Sequence, residues 1–322
     1  MERYAPDSKE LASRDVISRA MMQEILGGRG CGKNADHLHL CLDHLPISVI
    51  ESKLPAIREI TSTFTRLDLM RDPIPVLPAV HYTMGGIACN KNSQVLTVDG
   101  KGAEHEVAGL LAIGEASCTS VHGANRLGCN GLLELVVFGK AAGTRAAISK
   151  PTRHKPVSEA VLEPAMTRFD GLRHRNGGTR PRQLRRELQQ VMQHGASIFR
   201  NQTLLDNTER QLRLIWSGYQ SDLKVSDKSL IWNNDLMDAL ETDNLLRQAM
   251  VTAVSARERK ESRGAHWRDD YPVRNDREWL KHSLGFVDDN GQVRMQYRGV
   301  RMSGSEPKTQ AVLAFPPEER AY

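Results

Sequence analysis

The sequence predicts a protein of several domains that joins an α/β region to an all-α region. Residues 79–147 are rich in glycine and show a strand–loop–helix rhythm, whereas apolar residues beyond position 156 recur at helical spacing for about a hundred positions. The length of 322 residues is enough for more than one hydrophobic core. We therefore expect four domains, which comprise residues 1–78, 79–150, 151–265 and 266–322.

The first domain is predicted to begin with a helix over residues 13–26. Ser13 can cap this helix, apolar residues recur in it every four positions, and Gly27 and Gly28 are expected to end it. A half-buried strand is predicted at His37–Leu42, where leucines alternate with other residues. An extended connector into the next domain is expected where three prolines cluster, at Pro73, Pro75 and Pro78.

The second domain is predicted to contain half of a βαβ-type nucleotide site. Leu110–Ile113 is expected to form a short strand, Gly114–Asn130 a loop, and Leu132–Ala147 an apolar helix that is packed on several sides. Ligands of such sheets bind beyond the carboxyl ends of the strands, which here is the glycine-rich loop.

The third domain is expected to follow an exposed linker at Lys150–Pro156 and to form a bundle of three antiparallel helices. Pro181 marks the start of the first of these helices. A small mixed domain is predicted from about His266 onward, with a strand near Val293–Tyr297. The apolar residues that indicate the three helices are Leu184, Leu188, Val191 and Met192, then Leu204, Leu205, Leu212 and Ile215, then Leu236, Leu240, Leu246, Met250 and Val254.

The composition, with 39% hydrophobic and 26% charged residues, is that of a globular protein. No segment reaches the roughly 20 consecutive apolar residues of a membrane span, so membrane contact is expected to go through a partner. The first residues lack the pattern of a secretory or transit peptide. Lys and Arg exceed Asp and Glu by 44 to 39, which suits an anionic substrate or a nucleic acid. Five scattered cysteines indicate free thiols.

Four short stretches carry residues suited to chemistry. Arg14 lies in the predicted first helix, His81 precedes Met84–Gly86, and Glu115 follows the predicted strand. The stretch Ser120–Gly128 combines glycines with Arg126 just before the apolar helix. A helix N-terminus beside a guanidinium group is a natural binding place for an anion.

The order and spacing of these stretches resemble the flavoprotein subunits of succinate dehydrogenase and fumarate reductase. Leu135–Gly139 and Met84–Gly86 are more similar to succinate dehydrogenase than to L-aspartate oxidase; a flavoprotein like fumarate reductase or L-aspartate oxidase remains the alternative. The resemblance covers nearly the whole chain, at Met1–Pro6, Pro75–Pro78, Leu135–Gly139, Glu261–His266 and Tyr322.

The resemblance implies roles for three side chains. His81 and Arg126 are expected to bind a dicarboxylate, because a planar guanidinium group can give a carboxylate two parallel hydrogen bonds. Arg14 is expected to transfer the proton that leaves one substrate carbon while a hydride leaves the other. Since the pKa of arginine lies above about 12, Arg14 would act within a relay or while transiently neutral in a dry pocket.

The resemblance also implies FAD as the cofactor. Glu115 is expected to hydrogen-bond the ribityl chain, and Asn130, Gly131 and Leu132 are expected to approach the isoalloxazine ring. Gly131 replaces a serine of the family's usual pattern, and Gly299 replaces a proline.

Parts of the family's pattern have no counterpart in the sequence. These are the G-x-G-x-x-G turn, the histidine that bonds to the flavin, a second carboxylate-binding histidine and a threonine–glutamate pair. Gly28–Gly32 is a turn in our interpretation, because Lys33 stands where the third glycine would fall and a helix precedes it. The chain therefore resembles the C-terminal portion of the family without its N-terminal FAD-binding segment. We expect it to bind FAD weakly or not at all by itself, and to lack succinate oxidation by itself.

The implied parent activity is the oxidation of succinate to fumarate, with electrons passing through FAD to an iron–sulfur subunit and on to quinone. Membrane anchor subunits are expected to contact the chain only indirectly, and no nucleic-acid partner is expected. The implied location is peripheral on the inner membrane, at the bacterial cytoplasmic face or the mitochondrial matrix face.

Two further interpretations follow from residues outside this pattern. The basic segment Arg180–Arg186 allows a non-catalytic interaction module that docks a partner or a phosphate backbone. No metal site is expected, because the spacings of the candidate zinc ligands fit no usual pattern. Those candidates are Cys31, His37, His39, Cys41 and His44.

Overall fold

The computed structural model describes residues 1–99, 103–149 and 156–300. The predicted linker, apart from Pro156, and the end of the predicted last domain lie outside these residues. The chain divides into two compact units, with the boundary between Tyr82 and Thr83. This boundary falls close to the predicted end of the first domain, and the other domain boundaries stay predictions.

The first unit begins with the predicted helix, α1, at Arg14–Glu24. A wider helical turn follows at Ile25–Arg29 and contains Gly28 with a φ of 76°. The helix and its glycine end are therefore confirmed. The prediction of a side-chain cap is wrong, because the Ser13 hydroxyl donates to Asp15 Oδ1 at 2.7 Å instead of accepting from a backbone amide of the first turn.

The predicted strand is short, and the predicted connector is itself a strand. β1 at Leu38–Leu40 pairs antiparallel with β2 at Ile74–Val76, and Pro75 stands opposite His39. A proline is tolerated there because each strand of a two-stranded sheet has one unpaired edge. Two helices lie between these strands in sequence, α2 at Ile47–Lys53 and α3 at Pro55–Thr65.

The α/β part of the second unit contains a parallel pair and an antiparallel hairpin. The parallel pair joins β3 at Ile87–Ala88 to β6 at Ser117–Cys118. The hairpin joins β4 at Gln94–Val98 to β5 at Glu104–Leu111, so the predicted strand at 110–113 is the end of a longer one. The predicted apolar helix follows as α4, at Asn130–Ile148.

The packing predicted for α4 is wrong. Glu134 and Ala142 are its buried residues, while Leu132 is 72% exposed and Val136 is 71% exposed. Among the described residues, Leu135 of this helix packs against Gly114. The Phe138 carbonyl accepts a hydrogen bond from Ser93 Oγ at 3.1 Å. The apolar surface of α4 is therefore larger than the described part of the second unit covers.

The helical part contains the three predicted helices and one that the sequence did not reveal. The additional helix is α5 at Glu159–Arg173, which contains Pro164 and few buried residues. Its weak apolar periodicity explains why it was missed. The predicted helices are α6 at Pro181–Gly195, α7 at Gln202–Asp222 and α8 at Asn234–Glu258.

Capping and burial explain these three helices. Pro181 occupies the first turn of α6, and the Asn201 and Asn233 side chains cap α7 and α8 by accepting from Leu204 N at 2.9 Å and Leu236 N at 2.8 Å. Each fully buried leucine contributes about 1.5–3 kcal/mol relative to exposure. The core between the helices includes Leu184, Leu188, Leu212, Trp216, Leu246 and Met250.

The last described region packs on this bundle. A short helix, α9 at Asp276–Trp279, precedes a hairpin of β7 at Lys281–Val287 and β8 at Val293–Gly299, so the predicted strand is confirmed. Gly285 of β7 lies close against α8, because a Cβ at this position would be only 2.7 Å from Val251 Cγ1. Within the described ranges, no helix combines the length and apolar character that crossing a bilayer requires. All five cysteines are free thiols.

Candidate functional site

The loop that carries Arg126 connects β6 to α4 and comprises residues 119–128; we call it the arginine loop. Ser120 has a φ of 71° and Gly123 a φ of 58°, so two of its residues adopt left-handed backbone. For Ser120, which is not a glycine, such a backbone persists only where surrounding contacts hold it.

Helix α4 holds the start of the arginine loop through Glu134. Glu134 Oε2 lies 2.6 Å from His122 Nε2, and Thr119 Oγ1 donates to Glu134 Oε1 at 3.2 Å. The side chains of His122 and Glu134 are only 6% and 1% exposed. A buried carboxylate is stable only when hydrogen-bonded, so this pair is a fixed attachment.

A second attachment comes from the segment after α8. Ala265 N donates to the Ala124 carbonyl at 3.0 Å. The neighbouring Gly264 has a φ of 58°, and a Cβ there would lie 2.7 Å from the same carbonyl oxygen. Only glycine permits this close approach, which explains a glycine at this point.

Arg126 lies beyond both attachments and is half-buried. Its Nη1 donates to the Leu127 carbonyl at 3.2 Å. Helix α4 starts four residues later, after Cys129, which has a φ of 66° and provides no side-chain cap. The positive end of the helix dipole and a guanidinium group thus lie four residues apart in sequence, and both attract an anion.

Glu115 is exposed and lies in a 3₁₀ turn at Gly114–Ala116. Its Oε1 accepts a hydrogen bond from Thr83 N at 2.8 Å. The turn packs on α4, because a Cβ on Gly114 would lie 2.6 Å from Leu135 Cδ2. The structure therefore brings Glu115 next to the first turns of α4.

The residues predicted to contact FAD fit such a group. Asn130, Gly131 and Leu132 form the first turn of α4, and Leu132 is exposed. An exposed apolar surface suits one face of a flavin ring, and the exposed Glu115 carboxylate can accept hydrogen bonds from a hydroxylated chain.

Arg14 and His81 belong to the first unit. Arg14 is the first residue of α1 and is exposed; His81 is exposed as well and follows the last strand of that unit. Arg126 and Glu115 belong to the second unit. The convergence of Arg14, His81 and Arg126 on one ligand stays a prediction.

Two histidines of the second unit have altered acidity. Burial, together with Arg298 and Arg259, lowers the pKa of His282, whose Nε2 lies 3.4 Å from Ser120 Oγ of the arginine loop. Burial and the nearby Arg200 lower the pKa of His266 to about 4.

The sequence analysis did not identify Glu134 or Gly264 as supports of the arginine loop. A carboxylate inside an apolar helix was an available signal, because a buried charge needs a partner. Around the candidate zinc ligands, His37 Nδ1 lies 2.8 Å from Asp36 Oδ1. The described portion of the chain contains no group of three or more His, Cys, Asp or Glu residues that could hold a metal ion.

Two family models match the chain. A model described as FAD binding domain matches residues 1–132, and a model described as fumarate reductase flavoprotein C-term matches residues 185–322. Together they cover the first unit and all of the second unit except residues 133–184.

Individual proteins agree with these models. A succinate dehydrogenase flavoprotein subunit from Rickettsia bellii is 52% identical over 100% of the chain and 54% of its own length. A mitochondrial succinate dehydrogenase [ubiquinone] flavoprotein subunit from Oryza sativa is 47% identical over 100% of the chain and 51% of its own length. A solved quinol fumarate reductase chain from E. coli superposes with a TM-score of 0.82 at 34% identity, covering 96% of this chain and 52% of that one. The chain thus spans about half the length of the relatives that it matches.

Proposed function

Because the chain belongs to the succinate dehydrogenase and fumarate reductase flavoprotein family, whose members are oxidoreductases, we propose that it supplies the dicarboxylate-binding and proton-transfer groups for FAD-dependent oxidation of succinate to fumarate. The observation that carries this proposal is the geometry of the arginine loop. Two attachments fix the loop, and Arg126 follows them in sequence, four residues before a helix whose first turn includes the exposed Leu132.

In this proposal, Arg126 and His81 bind the substrate. Succinate carries two carboxylates, and the Arg126 guanidinium would bind one of them with charge-assisted hydrogen bonds. The helix dipole of α4 adds to the attraction for negative charge. His81 would hydrogen-bond the other carboxylate.

In this proposal, Arg14 transfers the proton. Forming the double bond of fumarate removes a hydride from one carbon and a proton from the next, and Arg14 would take the proton. Because a guanidinium group is an unusual base, this role requires either that Arg14 belongs to a relay of proton-transfer groups or that the site excludes water around it when substrate is bound.

Glu115, Asn130, Gly131 and Leu132 would hold FAD, which when bound supplies the redox chemistry by accepting the hydride. We expect the chain by itself to hold FAD weakly or not at all. Leu132, Leu133 and Val136 of α4 are exposed, so the apolar surface available for a flavin is open to water.

The proposed partners follow from the relatives. An iron–sulfur subunit would take the electrons, and membrane anchor subunits would be contacted indirectly. The proposed location is the periphery of the inner membrane, at the bacterial cytoplasmic face or the mitochondrial matrix face.

The test of this function uses malonate, a dicarboxylate too short to be oxidised to an alkene between its carboxylates. Calorimetric titration of the chain should show malonate binding that weakens at least about tenfold in Arg126→Gln, because one charge-assisted pair is lost. Arg182→Gln is the matched control, since Arg182 is an exposed arginine of α6. Equal affinity in Arg126→Gln and the unchanged chain would refute the proposal.

The proposal about FAD binding is tested separately, by flavin absorbance and dye reduction. The purified chain should carry little flavin absorbance and should not reduce a dye when succinate is added. A yellow preparation that reduces the dye would overturn the proposal of weak FAD binding.

A further inference from the structure

We propose that Glu134 is the positioning residue for Arg126: it fixes the arginine loop to α4 so that the guanidinium is held ready for a carboxylate. This inference rests on the proposed function for the role of Arg126, and on the geometry alone for the attachment itself.

Glu134 engages the loop with both carboxylate oxygens. Oε2 lies 2.6 Å from His122 Nε2, and Oε1 accepts from Thr119 Oγ1 at 3.2 Å. The two bonded residues stand on either side of Ser120, whose backbone is left-handed. One side chain on a rigid helix therefore fixes two points of the loop.

Burial makes this attachment specific. The Glu134 side chain is 1% exposed, so water cannot replace Thr119 or His122 as its partner. A buried carboxylate without its hydrogen bonds is strongly unfavourable, hence the loop has one stable position on the helix. No other side chain of α4 except Ala142 is buried within the described residues of that helix.

The second attachment restricts the arginine loop at Ala124, closer to Arg126. The Ala124 carbonyl accepts from Ala265 N at 3.0 Å, two residues before Arg126. With Thr119, His122 and Ala124 all held, the backbone at Arg126 is left with little freedom. Pre-organised side chains bind a ligand more tightly because less conformational freedom is lost on binding.

The test compares Glu134→Gln with Thr119→Val, a milder change that removes one hydroxyl and keeps the volume. Glu209→Gln is the control, since Glu209 is a buried carboxylate of α7 that pairs with Arg213. Hydrogen–deuterium exchange of a peptide spanning 119–128 and malonate titration are measured on each full chain.

We expect Glu134→Gln to speed exchange of the arginine loop and to weaken malonate binding, each about tenfold, as for loss of one charge-assisted hydrogen bond. Thr119→Val should change both in the same direction by a smaller factor, and Glu134→Asp, which keeps the carboxylate, should restore most of the affinity. Glu209→Gln should leave the loop and the affinity unchanged.

Three outcomes overturn the inference: unchanged loop exchange in Glu134→Gln, a loosened loop with unchanged affinity, or equal loosening in Glu209→Gln. If Glu134→Gln does not fold, Thr119→Val decides by the same two readouts. If the unchanged chain binds no malonate, the proposed function fails, and loop exchange alone then decides whether Glu134 is the anchor.

Discussion

Acid should destabilise the second unit through His266. The ring of this histidine lies between two groups: Arg200 Nη1 lies 3.0 Å from its Nδ1, and its Nε2 lies 3.1 Å from the Arg259 carbonyl. In the neutral ring, Nδ1 accepts from the guanidinium and Nε2 donates to the carbonyl. Protonation would add a proton on Nδ1 where it faces a positive group. Burial first, and Arg200 second, lower its pKa from 6.5 to about 4.

The direction of the change in stability with pH follows from the protons that each state binds. Below pH 6.5 this histidine is protonated in the unfolded chain, whereas in the folded chain it is protonated only below about pH 4. The free energy of unfolding therefore falls as the pH is lowered through this range. Between pH 7.5 and 5 the shift corresponds to a loss of about 2 kcal/mol in the free energy of unfolding.

Urea unfolding at both pH values, followed by tryptophan fluorescence, measures this loss. His266→Gln offers an acceptor and a donor but does not titrate, so its loss between pH 7.5 and 5 should be smaller by about 2 kcal/mol than that of the unchanged chain. Asp270, whose pKa the Arg268 guanidinium lowers from 3.8, loses its stabilising effect below this pH window, and it does so in both proteins. His194→Gln is the control, since His194 is exposed on α6. An equal loss in His266→Gln and the unchanged chain would refute the reasoning.

Two further substitutions test the packing. Leu246→Ala removes a fully buried side chain of α8 and should lower the free energy of unfolding by about 2–5 kcal/mol, whereas the partly exposed Leu245→Ala should cost much less. Gly264→Ala places a Cβ 2.7 Å from the Ala124 carbonyl in left-handed backbone, so it should cost about 1–3 kcal/mol and also weaken malonate binding. Urea unfolding and calorimetry check both, and a Gly264→Ala chain with unchanged stability and affinity would contradict the role of this contact.

The sequence predicted those parts of the fold that depend on local patterns. The periodicity of Leu184, Leu212 and Leu246 identified α6, α7 and α8, because one apolar face of each helix meets the others. The exposure of α4 was not predictable, since an apolar pattern indicates a need for cover without specifying what provides it. Likewise, the prolines favoured an extended connector at β2, and only its pairing with β1 makes it a strand.

The candidate site was predictable only in part. Arg126 and Glu115 stand in recognisable stretches of sequence, whereas their supports depend on contacts between distant residues. Ala265 lies far along the chain from Ala124, and no local pattern indicates their hydrogen bond. Glu134 was visible only as a charged residue that interrupts an apolar helix, since its partners precede the helix.

In the proposed site, Arg14, His81 and Arg126 all contact one dicarboxylate. The direct test is a crystal structure of the chain grown with malonate. We expect Arg126 and His81 within about 3 Å of carboxylate oxygens of the same malonate molecule, with the Arg14 guanidinium facing its central carbon. A malonate bound elsewhere, or the three side chains on separate surfaces, would contradict the claim.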